Sequence, residues 1–244
     1  MDGISLTAAS GMRARMESLE LLANNLANVE TGGFKADREF YSLYTSPDAS
    51  ADPQTGVFQT LPVIEHHWTD LAQGDLRATG NPLDFAIDGD GLFSVQTPRG
   101  VRYTRNGNFR VSSAGLLITN EGDSVLAKGG SPIKLQPGVP VEVGTDGSVR
   151  QNGQATGQLD VAAFDPGSIN KEGHNYFAVI PGTRPKPAGG TVLQGKLETS
   201  NVGAPESAVR LVAIMRQFEM LQKAMNIGNE LNRRAIEEVA RVQS

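Results

Sequence analysis

The residues that could do chemistry begin with Gly190-Thr-Val-Leu-Gln-Gly195-Lys196, which carries the two glycines and the lysine of a phosphate-binding loop. Leu197 follows where Ser or Thr would ligate magnesium, and the sequence beyond reads as a strand end, not a helix whose N-terminus could hold phosphate. Asp84, Asp88 and Asp90, beside Gly89 and Gly91, offer oxygen ligands for a hard cation. They lack the EF-hand spacing and its closing Glu, and Asp-Gly turn chemistry accounts for them. His66 and His67 are adjacent, so in a strand they point to opposite faces. His174 has no neighbouring Cys, and the chain holds no HExxH helix and no GxSxG nucleophile elbow. Paired carboxylates meet in space rather than in sequence, and none is singled out here. The expectation is a protein that is not an enzyme, with no catalytic, cofactor-binding or metal-binding residues.

Composition narrows the class further. Glycine (28) and proline (13) are plentiful while aromatics make up only 6% of 244 residues, which favours turns and short strands over a large α/β core. The net charge of −5 comes without a basic stripe, so no nucleic-acid partner is expected. With no cysteine there is no disulfide framework and no thiolate metal site. No stretch reaches the roughly 18 to 20 consecutive apolar residues of a membrane helix, so direct membrane insertion is not expected. Arg13, Arg15, Glu17 and Glu20 interrupt the first 30 residues, which therefore do not read as a secretory signal.

The elements that must position these residues differ between the ends and the middle. From about Ser5 to Val29 there is no proline, and Ala9, Met12, Met16, Leu19, Ala23 and Leu26 follow in steps of 3, 4, 3, 4, 3, a heptad seam. Gly32-Gly33 stops that helix. From about Glu206 to Val242 the pattern returns at Leu211, Ile214, Phe218, Leu221, Met225 and Gly228, with Pro205 at a first-turn position. A helix of that length spans on the order of 50 Å at about 1.5 Å per residue. Leu6, Leu21, Leu22, Val209, Val212, Met215, Met220, Leu231 and Ile236 lie off the seams, which is more apolar surface than one helix pair covers. These helices could instead be plain covers for a β-domain. Residues 46–56 are loop-like, and one strand fits between Thr60 and Asp70.

Between about Gly74 and Asn201 the pattern is β. Strands are expected at Phe85–Ile87, Leu92–Val95, Val101–Thr104, Phe109–Val111, Leu116–Thr119, Val141–Val143, Leu159–Phe164, Tyr176–Ile180 and Gln194–Glu198. Asp88-Gly, Asp90-Gly, Asn106-Gly, Asp146-Gly and Asn152-Gly supply hairpin turns. The expected fold class is α+β: residues 1–30 and 205–244 helical, 31–73 an irregular joining segment, and 74–204 mainly β.

Asn24, Asn25 and Asn28 crowd the end of the first helix, more asparagine than a cap needs. The run Leu22-Ala-Asn-Asn-Leu-Ala-Asn-Val-Glu-Thr-Gly-Gly-Phe-Lys35 resembles the N-terminal signature of the flagellar rod and hook protein family. Gly89-Asp-Gly-Leu-Phe-Ser-Val95, Tyr103-Thr-Arg-Asn-Gly-Asn-Phe109, Gly115-Leu-Leu and Gly195-Lys-Leu-Glu-Thr-Ser-Asn-Val202 resemble the motifs that follow it, in the family's order. Gly203-Ala-Pro-Glu-Ser-Ala-Val209 departs from the family's acidic-Met approach to the last helix.

The resemblance implies a structural subunit of the basal-body rod. Its terminal helices would form a coiled-coil domain (D0) and its β-domain (D1) would face outward. Arg216–Met225 and the modest length favour the proximal rod, with distal rod and hook subunits as alternatives. Implied partners are other axial rod proteins, with copies of the chain itself among the candidates, and the flagellar type III export apparatus, which fits a chain without a cleaved signal. The implied location is the rod within the periplasm. The candidate assembly residues are Met12, Met16, Leu19, Leu22, Asn25, Leu26, Asn28, Leu211, Ile214, Phe218, Leu221 and Met225. A rival from another class is a secreted β-domain that binds or cleaves cell-wall glycan. Such a binder has no need of two heptad seams at opposite chain ends.

Overall fold

Helix α1 (Gly3–Ala27) is built largely from Ala, Leu, Met, Arg and Glu, all good helix formers. It ends in a turn in which Thr31 donates its N–H to the Asn28 carbonyl (3.1 Å) and its hydroxyl to the Asn28 side chain (3.2 Å). Helix α2 (Ala204–Val242) starts with Pro205 and Glu206 in its first turn, where neither a missing N–H nor a negative charge costs anything, and ends near Arg241. The computed structural model describes residues 3–45 and 60–242. The loop expected over 46–56 lies outside the described residues.

The chain divides into a helical unit (Met1–Leu26, Asp37–Trp68 and Gly203–Ser244) and a β unit (Ala27–Ala36 and Thr69–Val202). The helical unit contains, besides both helices, a two-stranded sheet of Asp37–Thr45 and Thr60–Thr69. The first of these strands lies where an irregular segment was expected.

In the β unit the largest sheet runs Ile169–Lys171, Tyr176–Val179, Gly100–Thr104, Leu92–Thr97, Ser124–Val125, Leu117–Ile118, Arg110–Val111. Strand Val161–Ala163 joins it beside Leu92 and Phe93, and Lys186–Pro187 pairs with Val161–Ala163. A meander of Glu142–Val143, Ser148–Gln151 and Gln154–Gln158 forms a second sheet. Its hairpin turns at Asn152 (φ 50°) and Gly153 (φ 75°), the two positive-φ positions of a type I′ turn. Phe85, Ile87, Phe93, Val95, Phe109, Leu117 and Val125 lead the core, with Phe93 edge-on to Phe109 at 5.3 Å.

Three expected features differ. Strands Phe85–Asp88 and Leu92–Thr97 do not form a hairpin across the Asp-Gly pairs; Phe85–Asp88 pairs instead with Thr191–Gln194. The carbonyls of Ile87, Gly89 and Gly91 accept from the Arg105 guanidinium, which holds this stretch of chain in place of a hairpin ladder. Asn106-Gly107 is not a hairpin turn either. The Gly107 carbonyl accepts from the Phe85 N–H (2.9 Å), and a Cβ at Gly107 would stand 1.7 Å from the Phe85 carbonyl oxygen, so the backbones pass too closely for any side chain. The strand expected over Gln194–Glu198 breaks at Gly195 (φ 73°), giving Thr191–Gln194 and Lys196–Glu198. Lys196–Glu198 pairs with Leu76–Ala78.

Candidate functional site

Within the β unit the Glu198 carboxylate is buried. It accepts from Lys35 Nζ (2.6 Å), from the Gly74 N–H (2.9 Å) and from Arg105 Nε. Arg105, also buried, spends its other donors on the carbonyls of Ile87 (2.8 Å), Gly89 (2.7 Å) and Gly91. Lys35 reaches the Ala72 carbonyl as well (2.7 Å). Burial pushes the Lys35 pKa below the ordinary lysine value, opposed by the attraction of Glu198.

Around this triad the segment 31–36 is fastened residue by residue. Gly33 donates to the Glu198 carbonyl (2.7 Å), and the Asn175 side chain donates to the Gly32 carbonyl (2.9 Å). Lys171 donates to the Lys35 carbonyl and lies 4.0 Å over the Phe34 ring, a cation–π contact. Asn201 accepts from the Ala36 N–H (2.7 Å) and donates to the carbonyls of Asp70 (2.8 Å) and Ala72 (3.0 Å). Gly33 is left-handed (φ 66°), and a Cβ there would lie 2.5 Å from the Arg105 backbone. A cleft of about 400 Å³ opens beside the triad between Glu30, Arg77, Thr79 and Leu197.

Chemically this is a lock. The described contacts engage both Glu198 oxygens and draw on every nitrogen of the Arg105 guanidinium, leaving no group poised for acid–base work. It joins four of the stretches that carried the family resemblance: Lys35, Gly89 and Gly91, Arg105, and Glu198 with Asn201. Sequence reasoning named none of these as site residues. The available signal was the charge that Lys35, Arg105 and Glu198 place inside three of those motifs, where turn chemistry alone asks for none.

Asp84, Asp88 and Gly195, singled out for chemistry in the sequence, serve structure. Asp84 is buried and accepts from Asn81 (3.0 Å) and Asn108 (3.1 Å), and Asp88 accepts from Gln73 (3.2 Å). Gly195 turns the chain between two strands, where a phosphate loop would need a helix. His67 meets Glu17 at 2.9 Å, His174 is an exposed left-handed turn residue (φ 47°), and His66 lies in strand Thr60–Thr69. Among the described residues no three His, Cys, Asp or Glu side chains are grouped to hold a metal.

The candidate assembly residues lie on both helices of the helical unit, except Asn28, which lies in the turn after α1. In α1 the covered face is Gly11, Ala14, Ser18, Leu22 and Asn25, rotated around the helix from the seam read in the sequence. Leu221 of α2 lies against it, 3.5 Å from where a Gly11 Cβ would be. Asn25 grips Asp37, donating to its carbonyl (2.8 Å) and accepting from its N–H (3.0 Å). Met12, Leu19, Leu26 and Asn28 are half-buried, and Met16 is exposed. In α2 Ile214 is buried while Leu211, Phe218, Leu221 and Met225 are half-buried. On the opposite side Val209 (73% exposed), Met220 (62%), Ile227 (62%) and Leu231 (60%) stand in solvent.

Three family models match this chain in order. They are the flagella basal body rod protein model over residues 6–35, the flagellar hook protein FlgE/F/G D1 domain over 86–151, and the flagellar basal body rod FlgEFG C-terminal model over 193–238. The flagellar basal-body rod protein FlgF of Caulobacter vibrioides is 33% identical over 99% of this chain and 100% of its own length. That of Mesorhizobium japonicum is 35% identical over 87% of both chains. The rod protein FlgG of Borreliella burgdorferi is 31% identical over 92% of this chain and 94% of its own. These relatives are structural rod proteins, not enzymes. With its helical ends, its β middle and the lock assembled from its motifs, the chain belongs to the flagellar basal-body rod protein family and is a structural subunit of the rod.

Proposed function

We propose that the chain builds the proximal part of the rod by polymerising through its terminal helices. In this reading α1 and α2 form a coiled-coil D0 domain, residues 31–73 join it to an outward-facing D1 domain over 74–204, and the assembled helices line a tube that transmits torque. The subunit leaves the cytoplasm through the flagellar type III export apparatus. It takes its place in the periplasmic rod against other axial proteins.

One observation carries the reading: α2 leaves Val209, Met220, Ile227 and Leu231 in solvent along the side away from Ile214. A lone soluble chain rarely leaves such a stripe uncovered, and neighbouring helices in a tube would cover it. Each Leu-sized side chain buried there contributes about 1.5 to 3 kcal/mol. Leu19→Asp and Phe218→Asp should each abolish incorporation into basal bodies while the β unit stays folded. Normal incorporation of both variants would sink the reading. The position along the rod is tested by tracing the chain in images of intact basal bodies. The similarity to FlgG proteins keeps the distal rod as the second reading.

A further inference from the structure

We propose that one face of α2 is the docking site for the outer face of α1 in a second copy of this chain, with the second copy displaced along α2. This rests on the reading of the chain as a polymerising rod subunit and names the contact by which it would begin.

The α2 face is Arg216, Met220, Lys223, Ile227, Glu230 and Arg234, in steps of 4, 3, 4, 3, 4, and every one of them is exposed. The α1 face is Ala9, Arg13, Met16, Glu20 and Ala23, in steps of 4, 3, 4, 3, again all exposed. Both repeats have the period of helices that pack side by side. Inside one chain these faces cannot meet, because Leu221 already lies against Gly11 on the covered side of α1.

The two faces match when laid antiparallel. Met220 falls opposite Ala23, Lys223 opposite Glu20, Ile227 opposite Met16, Glu230 opposite Arg13, and Arg234 opposite Ala9. A large side chain meets alanine at both ends of this run, two apolar side chains meet at its centre, and opposite charges meet in the two layers between. Among the described residues neither Lys223, Glu20 nor Arg13 has an ion pair within the chain, while Glu230 is held by Arg234 at 2.8 Å and can be shared. Opposite charges across a helix seam set register and direction.

The register has a geometric consequence. Within the chain the helices are also antiparallel: Asn25 grips Asp37, Arg210 meets Glu39 in the same strand (2.8 Å), and Leu221 lies at Gly11. That places α1 residue 11 beside α2 residue 221 in its own chain, whereas the proposed contact places residue 11 of the second copy level with residue 232. The second copy is therefore advanced by about 11 residues along α2, roughly 16 Å at 1.5 Å per residue. The surface used on one copy differs from that used on the next, so the contact does not close, and an open helical array follows.

The absence of cysteine makes the test clean. In full-length protein carrying Ala23→Cys and Met220→Cys, the two new sulfurs of one chain lie about 11 residues apart along the helix pair and on outward faces. That is beyond the roughly 7 Å limit for a disulfide, so any bond between positions 23 and 220 joins two copies. The expected result under mild oxidation is a ladder of dimers, trimers and higher species, with disulfide-linked peptides spanning positions 23 and 220 found on digestion. Glu20→Lys or Lys223→Glu should each cut the cross-linked fraction about tenfold, and the two together should restore it to within about twofold. Cross-linking by Met220→Cys alone into a closed dimer would overturn the proposal in favour of an α2–α2 contact. No cross-link from variants that still enter basal bodies would also overturn it, and would leave the polymerising reading standing with a different rod protein on this face.

Discussion

At the scale of single residues, the Lys35–Glu198–Arg105 triad holds two cations against one carboxylate, all buried, and hydrogen bonds from Gly74 and to four carbonyls complete it. Removing the anion is then worse than removing either cation. Glu198→Gln should lower the stability of the β unit by about 3–5 kcal/mol, because two charges lose their counter-ion in a buried site; denaturant unfolding measures it. Lys35 adds a pH signature. Its folded pKa lies below the ordinary lysine value of 10.5, so in the interval between them the unfolded chain binds more protons than the folded one. Stability should therefore rise with pH across that interval, and Lys35→Met should lose that rise in unfolding curves collected from neutral pH to about pH 10. Gly33→Ala combines a left-handed backbone, worth about 1–2 kcal/mol against an L side chain, with a Cβ pressed into Arg105, and should destabilise by more than either alone.

At the scale of elements, α2 is the informative one. It carries apolar residues on two sides, and only one side is covered within the chain. Ile214→Asp should loosen the helical unit by several kcal/mol, since it buries a charge, whereas Met220→Asp should leave the folded monomer unchanged within about 0.5 kcal/mol and act only on association. Circular dichroism melts of the two variants separate these outcomes. The covered face of α1 carries the small residues Gly11, Ala14 and Ser18, and Leu221 of α2 lies against Gly11. Met12, Leu19 and Leu26 are left half-open on its flank.

At the scale of the whole molecule, neither unit is one continuous stretch of chain. The helical unit needs both ends, and the β unit takes residues 27–36 from between two parts of the helical unit. The tightly packed core around Phe93, Val95 and Val125 contrasts with the open side of α2. Amide hydrogen exchange on the full chain should therefore be slowest in strand Leu92–Thr97 and faster across α2, with α2 gaining protection when the protein assembles. Equal protection of both in the free chain would contradict this.

The sequence by itself determined the order of elements, helix, β-rich middle, helix, because heptad and alternating patterns are local. It also carried the family through ordered motifs. It determined turns such as Asn152-Gly153, where positive φ is a property of the residues themselves. Tertiary structure alone decided which helix face is covered, since Ala9-Met12-Met16 and Gly11-Ala14-Ser18 both repeat at helical spacing and only the position of Leu221 selects the second. It alone decided that Phe85–Asp88 pairs with Thr191–Gln194, far along the chain. And it alone showed why Lys35, Arg105 and Glu198 stand in their motifs. A buried charge is tolerable only beside its partner, and partners 93 and 163 residues apart in sequence become neighbours only when the chain has folded.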